Sequence, residues 1–170
     1  MVFFPGSTLG NFPPDHAIRL LAAFRRLAGP RGLVLVGIDL VKPAEVLERA
    51  YDDAAGVTAR FNLNILLHLN ERFGAGFDPA LFRHAAAWCP AEARIEMQLW
   101  ARERHVVPFG GERLRFEAGD RIVTEWSHKY TPCRFGRLAA AAGLVRRQAW
   151  TDPQRWFSVE CLAPVPGGPR

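Results

Sequence analysis

The 170-residue sequence predicts an α/β fold with an α+β segment inserted into it. Three observations carry that prediction. Residues 2–38 read as strand, helix, strand. Residues 42–131 switch to helices followed by period-two alternation. Residues 134–162 return to helix, strand and strand, so a sheet begun before the insertion is resumed after it.

The first element, Val2-Phe3-Phe4-Pro5, reads as a short buried strand entering the turn Gly6-Ser7-Thr8. Starting so close to Met1, it is expected to lack a neighbour on one side. Over residues 14–28, Ile18, Leu21, Ala22, Phe24 and Leu27 recur near helical spacing, with Pro14 and Asp15 at the start and Gly29-Pro30 at the end. The unbroken apolar run Leu33 to Ile38 then marks a central parallel strand, which completes a βαβ unit. In the insertion, 43–51 and 56–73 predict helices, and a third short helix is expected over 78–86. Arg94 to Leu99 alternates polar and apolar, as a half-exposed strand does. Leu114 and Phe116 continue the alternation, and Gly119-Asp120 predicts a hairpin turn into the strand 121–126. Residues 134–142 predict a helix closed by Gly143. Two strands, 144–150 and 156–162, follow across Thr151-Asp152-Pro153 as an antiparallel pair at the sheet edge.

Composition narrows the function classes. Hydrophobic residues make up 49% of the chain and charged residues 23%, an ordinary globular balance. The net charge of +5 and pI near 9.7 permit nucleic-acid binding, but the arginines are scattered and form only the pairs Arg25-Arg26 and Arg146-Arg147. A solvated, Arg-rich surface is the simpler reading, with neither nucleic acid nor membrane as partner. Cys89, Cys133 and Cys161 lie far apart without a CxxC, and the five histidines show no HxH or HxxxH, so no metal site is expected. No signal-peptide pattern and no membrane-length apolar run occur, so the cytoplasm is the expected location. The tail, residues 166–170, is expected to be frayed.

Five phrases carry more information. They are Gly6-Ser7-Thr8-Leu9-Gly10-Asn11-Phe12; Ala50-Tyr51-Asp52-Asp53 with Gly56-Val57-Thr58; Phe61-Asn62-Leu63-Asn64; Arg94-Ile95-Glu96-Met97; and Thr124-Glu125-Trp126-Ser127-His128-Lys129-Tyr130. In this order and spacing they resemble the histidine-specific Nα-methyltransferases of ergothioneine biosynthesis, which depend on S-adenosylmethionine. The resemblance runs from residue 3 to about 162. It implies the second half of a class I methyltransferase (Rossmann-like) sheet, with residues 1–41 and 132–165 as a partial α/β core and 42–131 as an inserted α+β substrate-binding lobe. It also implies that the donor-binding loop, a GxG after a strand, is missing. Gly110-Gly111 and Gly167-Gly168 sit in the wrong context and read as a turn and part of the tail.

The implied chemistry is in-line methyl transfer from a sulfonium to a neutral α-amine, in which the protein chiefly holds reacting atoms about 3–3.5 Å apart. The amino acid must be pinned at both ends. Read alone, Asn11 serves a turn; the resemblance makes it a ligand of the substrate's carboxylate end, beyond a strand's carboxyl terminus. Tyr51 is either an amphipathic core residue or a second donor to that carboxylate. Asp52 and Asp53 read as helix-end and capping residues, and Thr58 matches a family position near the substrate. Glu125 and Ser127, two apart on a strand, share a face. They are either a solvated polar face or a carboxylate and hydroxyl that grip the two nitrogens of an imidazole. Met97 is either filler or pocket wall. Asn11, Tyr51, Glu125 and Ser127 are expected to meet in one cavity, and His128 stands where the family more often has an aromatic residue. The implied product is the trimethylated betaine. The alternative is a truncated amino-acid-binding module that is catalytically inactive without a complementing amino-terminal half.

Overall fold

A computed structural model describes residues 1–166, so Gly167-Gly168 and most of the expected tail lie outside the described residues. The chain forms two compact units. One comprises Met1–Lys42, Pro90–Arg94 and the chain from Ser127 onward; the other comprises Pro43–Cys89 and Ile95–Trp126.

The first unit is a four-stranded sheet with two helices. Strand β1 (Val2–Phe4) leads through helix α1 (Pro14–Ala28) to β2 (Val34–Asp39), and β1 and β2 pair in parallel, Val2 opposite Val34. The chain returns to this sheet with α4 (Pro132–Ala141), β8 (Leu144–Thr151) and β9 (Phe157–Pro164). The strand order is β1-β2-β9-β8, with β9 antiparallel to both neighbours and β8 at the edge. Val34, Val36 and Ile38 of β2 are fully buried, as an unbroken apolar run requires of a central strand. They pack with Leu21, Phe135, Leu144 and Leu162 in one core. Thr131 caps α4 by accepting the Arg134 N–H, Pro132 opens the helix, and Gly143 leaves it at φ +74°.

The second unit holds α2 (Ala44–Tyr51), α3 (Val57–Phe73) and most of a three-stranded sheet, ordered β3 (Phe82–Cys89), β4 (Arg94–Ala101), β7 (Arg121–His128). A separate hairpin, β5 (His105–Phe109) and β6 (Glu112–Phe116), turns at Gly110-Gly111, both at positive φ. Leu66, Phe77, Phe82, Leu99 and Val107 form this unit's core.

Three local expectations are corrected here. Residues 78–86 are not a helix. Asp78 and Pro79 start a single 3-10 turn, Pro79–Leu81, and the chain then extends as β3. The helix-favouring run Ala85-Ala86-Ala87 yields to pairing with β4, since propensity is a weak term against sheet formation. Strand β4 is not half-exposed. It is the central strand, and its polar residues are buried too, Glu96 5% and Gln98 1% exposed, with the Gln98 amide donating to Glu96. The turn at Gly119-Asp120 does not close a hairpin. Strand β6 pairs with β5, and β7 pairs with β4.

Candidate functional site

In the first unit the parallel pair β1 and β2 places two strand carboxyl ends side by side, where open α/β sheets collect ligands. Beyond β1 the chain makes a 3-10 turn, Thr8–Asn11, entered through Ser7 in the left-handed region. The Ser7 hydroxyl accepts the N–H of Asp39, the last residue of β2, at 2.9 Å. The turn rests on the backbone of His128: a Cβ on Gly10 would lie 2.7 Å from the His128 carbonyl oxygen. Only glycine permits that approach. Asn11, the next residue, is exposed. The end of β7 that carries Ser127 is thus brought against the turn that carries Asn11.

Asp39 organises the charges here. One carboxylate oxygen accepts from the Lys42 ammonium at 2.6 Å and the other from the Lys129 ammonium at 2.8 Å. Lys129 is fully buried and also donates to the Ser127 hydroxyl at 2.8 Å. Backbone bonds fix the segment, with the Tyr130 N–H donating to the Asp39 carbonyl and the Val41 N–H to the Tyr130 carbonyl. The Tyr130 ring packs edge-on against Phe135, and burial pushes its phenol up to about 12. Burial lowers the His128 pKa, which favours the neutral ring.

The second unit holds Tyr51, Thr58, Met97 and Glu125. A buried polar network runs among their neighbours. The Asn62 amide donates to His84 Nδ1 at 2.9 Å and to the Gln98 carbonyl at 3.3 Å. Its oxygen accepts from Thr124 Oγ1 at 2.6 Å, and the same hydroxyl reaches the Met97 carbonyl at 3.0 Å. With Nδ1 as acceptor, His84 Nε2–H donates to the Tyr51 carbonyl at 2.8 Å. Tyr51, Met97 and the strand that carries Glu125 are therefore tied through Asn62. Met97 is buried at 3% exposure, whereas Tyr51, Thr58 and Glu125 are half-buried. Glu125 borders a cavity of about 230 Å³ with Phe61, Ile65 and His68 of α3. Asp53 caps α3 by accepting the Val57 and Thr58 N–H groups, and these bonds hold its carboxyl well below the usual carboxylate range.

Residues 1–164 match the sequence profile of the histidine-specific, S-adenosylmethionine-dependent methyltransferases. The chain belongs to that family. Among relatives of these methyltransferases, the histidine N-alpha-methyltransferase of Mycobacterium tuberculosis is 44% identical over 162 residues, covering 94% of this chain and 50% of that protein. The enzyme of the same name from Mycolicibacterium smegmatis is 43% identical over 161 residues, with the same coverage. Ergothioneine biosynthesis protein 1 of Neurospora crassa is 30% identical over 160 residues, covering 86% of this chain and 17% of that protein. The chain thus spans about half the length of the mycobacterial relatives. A solved S-adenosylmethionine-dependent methyltransferase from Clostridium acetobutylicum overlays only loosely, at TM-score 0.48 and 9% identity over 96% of this chain and 57% of that one. The family assignment rests on sequence.

Sequence reasoning singled out Asn11, Tyr51, Thr58, Met97, Glu125 and Ser127. It missed the residues that hold them: Ser7, Asp39 and Lys129 in one unit, Asn62 and His84 in the other. A usable signal existed for Lys129, because it continues the row Glu125, Ser127 at the same period-two spacing.

Proposed function

We propose that this chain is the substrate-binding, carboxyl-terminal part of an L-histidine Nα-methyltransferase that yields the trimethylated betaine. The observation that carries this reading is the 44% identity to a histidine N-alpha-methyltransferase along 94% of the chain. In this proposal residues 1–41 and 132–165 belong to the methyltransferase core, and residues 42–131 are the inserted lobe. Asn11 and Tyr51 engage the substrate's carboxylate. Glu125 and Ser127 engage the imidazole nitrogens, Met97 walls the pocket and Thr58 lies near the substrate. The partner is a small amino acid rather than nucleic acid or membrane, and the cytoplasm is the setting. Among the described residues no helix is long and apolar enough to cross a membrane.

S-adenosylmethionine is held outside this chain, by a complementing amino-terminal half. Two features of the first unit support that. Gly10, in the turn beyond β1, already has its open side filled by the His128 backbone. The acidic residue at the end of β2, Asp39, is engaged by two lysines instead of standing ready for a ribose diol. These residues do not fit the donor.

Calorimetric titration of the 170-residue chain with S-adenosylmethionine and with histidine, alone and with a donor-binding half added, tests the reading. Methylated histidine is expected only when both halves are present. Micromolar donor binding and turnover by this chain alone would refute the division of labour. Within the complete enzyme, Glu125→Ala should weaken histidine binding roughly ten- to a hundredfold while sparing donor binding, the usual cost of one charge-assisted hydrogen bond.

A further inference from the structure

A groove in the first unit plays no part in the reading above. It has a volume of about 470 Å³ and is lined by β8, the start of β9, the chain leaving β2 and the entry to α4. That is the size of a small-molecule site. Its floor is a buried carboxylate. Glu160, 1% exposed, accepts from the Ser158 hydroxyl at 2.8 Å and ion-pairs with Nε of Arg146. The Nη2 group of Arg146 donates to the Pro132 carbonyl at 3.1 Å. Two anchors thus hold this guanidinium still. Its Nη1 group, with two N–H donors, has no partner among the described residues.

The second cation at the groove is Arg155, in the turn between β8 and β9. Its backbone stands at φ +58°, a left-handed conformation that long side chains rarely adopt. Asp152 holds the turn there: its carboxylate accepts the Gln154, Trp156 and Phe157 N–H groups, and its carbonyl accepts that of Arg155. The Arg155 side chain makes no hydrogen bond or ion pair among the described residues. No polar contact of that side chain offsets the strain, and strain of this kind concentrates at ligand sites. Glu160 is engaged by Arg146 and Asp152 by backbone N–H groups, so the charge left over is positive. Leu40, Val41 and Ala149 give the groove apolar walls. We propose that it is a second binding site, for a small monocarboxylate with an apolar body, whose carboxylate is recognised by Arg155 and Nη1 of Arg146. A guanidinium fork matches a planar carboxylate, and the aliphatic walls favour an apolar body over a free, fully hydrated phosphate. The site shares no residue with the amino-acid site proposed above.

Heteronuclear NMR titration of the full 170-residue chain tests this, with acetate, phenylacetate, the neutral phenylacetamide and inorganic phosphate as probes. Phenylacetate should saturate at about millimolar concentration and move the amides of Thr131, Thr151, Arg155 and Ser158. Acetate, without the apolar body, should bind roughly tenfold more weakly. Phenylacetamide and phosphate should give no saturable shift. Arg155→Gln should weaken phenylacetate about tenfold. Arg147→Gln, which removes the same charge from the irregular stretch of β8 outside the groove, should leave it unchanged. No saturable shift with phenylacetate, equal binding of the amide or of phosphate, or equal effects of the two substitutions would each overturn the proposal. With a donor-binding half added, phenylacetate binding should persist; its loss would mean that the half covers the groove, which also overturns the proposal. Histidine turnover by the two halves judges the functional reading separately from all of these outcomes.

Discussion

Asn62→Ala should be among the most damaging single changes in the second unit. Asn62 is 4% exposed and serves three neighbours through one amide. Its removal strips the donor from His84 Nδ1, on a side chain 2% exposed, and a 3.3 Å bond from the Gln98 carbonyl. Thr124 keeps its bond to the Met97 carbonyl, so its hydroxyl is not orphaned. One fully buried orphan costs about 1–3 kcal/mol, and the lost side-chain packing adds to it, which puts the total near ~2–4 kcal/mol. For a chain of this size that corresponds to a fall in Tm of roughly 4–16 °C. Trp88, Trp100 and Trp126 lie in this unit, whereas Trp150 and Trp156 lie in the other. Urea unfolding followed by fluorescence in a Trp150→Phe, Trp156→Phe background therefore reports on the right unit. Asn64→Ala is the internal control. Asn64 sits two residues away on α3, but its bond to His68 is exposed, and its loss should stay within about 0.5 kcal/mol. Equal effects of the two substitutions would refute the role given to the Asn62 network.

Three further outcomes are expected. Gly10→Ala should destabilise the first unit and Gly6→Ala should not, because the added methyl meets the His128 backbone at 2.7 Å in one case and only the Thr8 hydroxyl at 3.5 Å in the other; paired thermal melts check this. Asp53 and Asp152 accept several backbone N–H bonds, which lower both pKa values below the ordinary 3.8. The unfolded chain therefore takes up protons first, so stability is complete above that value and falls as the pH drops below about 4. Asp53→Ala and Asp152→Ala should each flatten the acid limb of the urea midpoint. His128 is depressed by burial, so its contribution is complete above the ordinary 6.5 and declines as the pH falls below it. His128→Phe should remove that slope below pH 6.5, and an unchanged slope would place the titration elsewhere.

The legible parts of the fold were those with strong local periodicity. The run Val34 to Ile38 could only be a central strand, and the amphipathic stretch 14–28 could only be a helix against it. Strand β3 was illegible because three consecutive alanines and a Pro-initiated turn speak for a helix, and only pairing with β4 says otherwise. Strand β5 was hidden by Pro108, which suits a strand paired on one side only. The candidate ligand residues were visible because they stand in recognisable phrases. Asp39 was not, because an ion pair between residues ninety positions apart leaves no mark on its local pattern, and Lys129 was marked only by its period-two spacing from Glu125 and Ser127.

The order of strands has a kinetic consequence. Strand β2 pairs on one side with β1, already made, and on the other with β9, where Asp39 faces Phe157. At ordinary synthesis rates of about 5–20 residues per second, β2 waits roughly 6–24 s for that partner to emerge. During the wait the whole span 43–126 is completed and has its own core to bury. The nascent chain thus carries an apolar β2 with one open edge while a self-contained unit folds behind it. Such an edge is a binding site for holdase chaperones and a point of misassembly. A ribosome-stalled chain ending before Phe157 should be captured by such a chaperone, and one extended through Pro164 should be released.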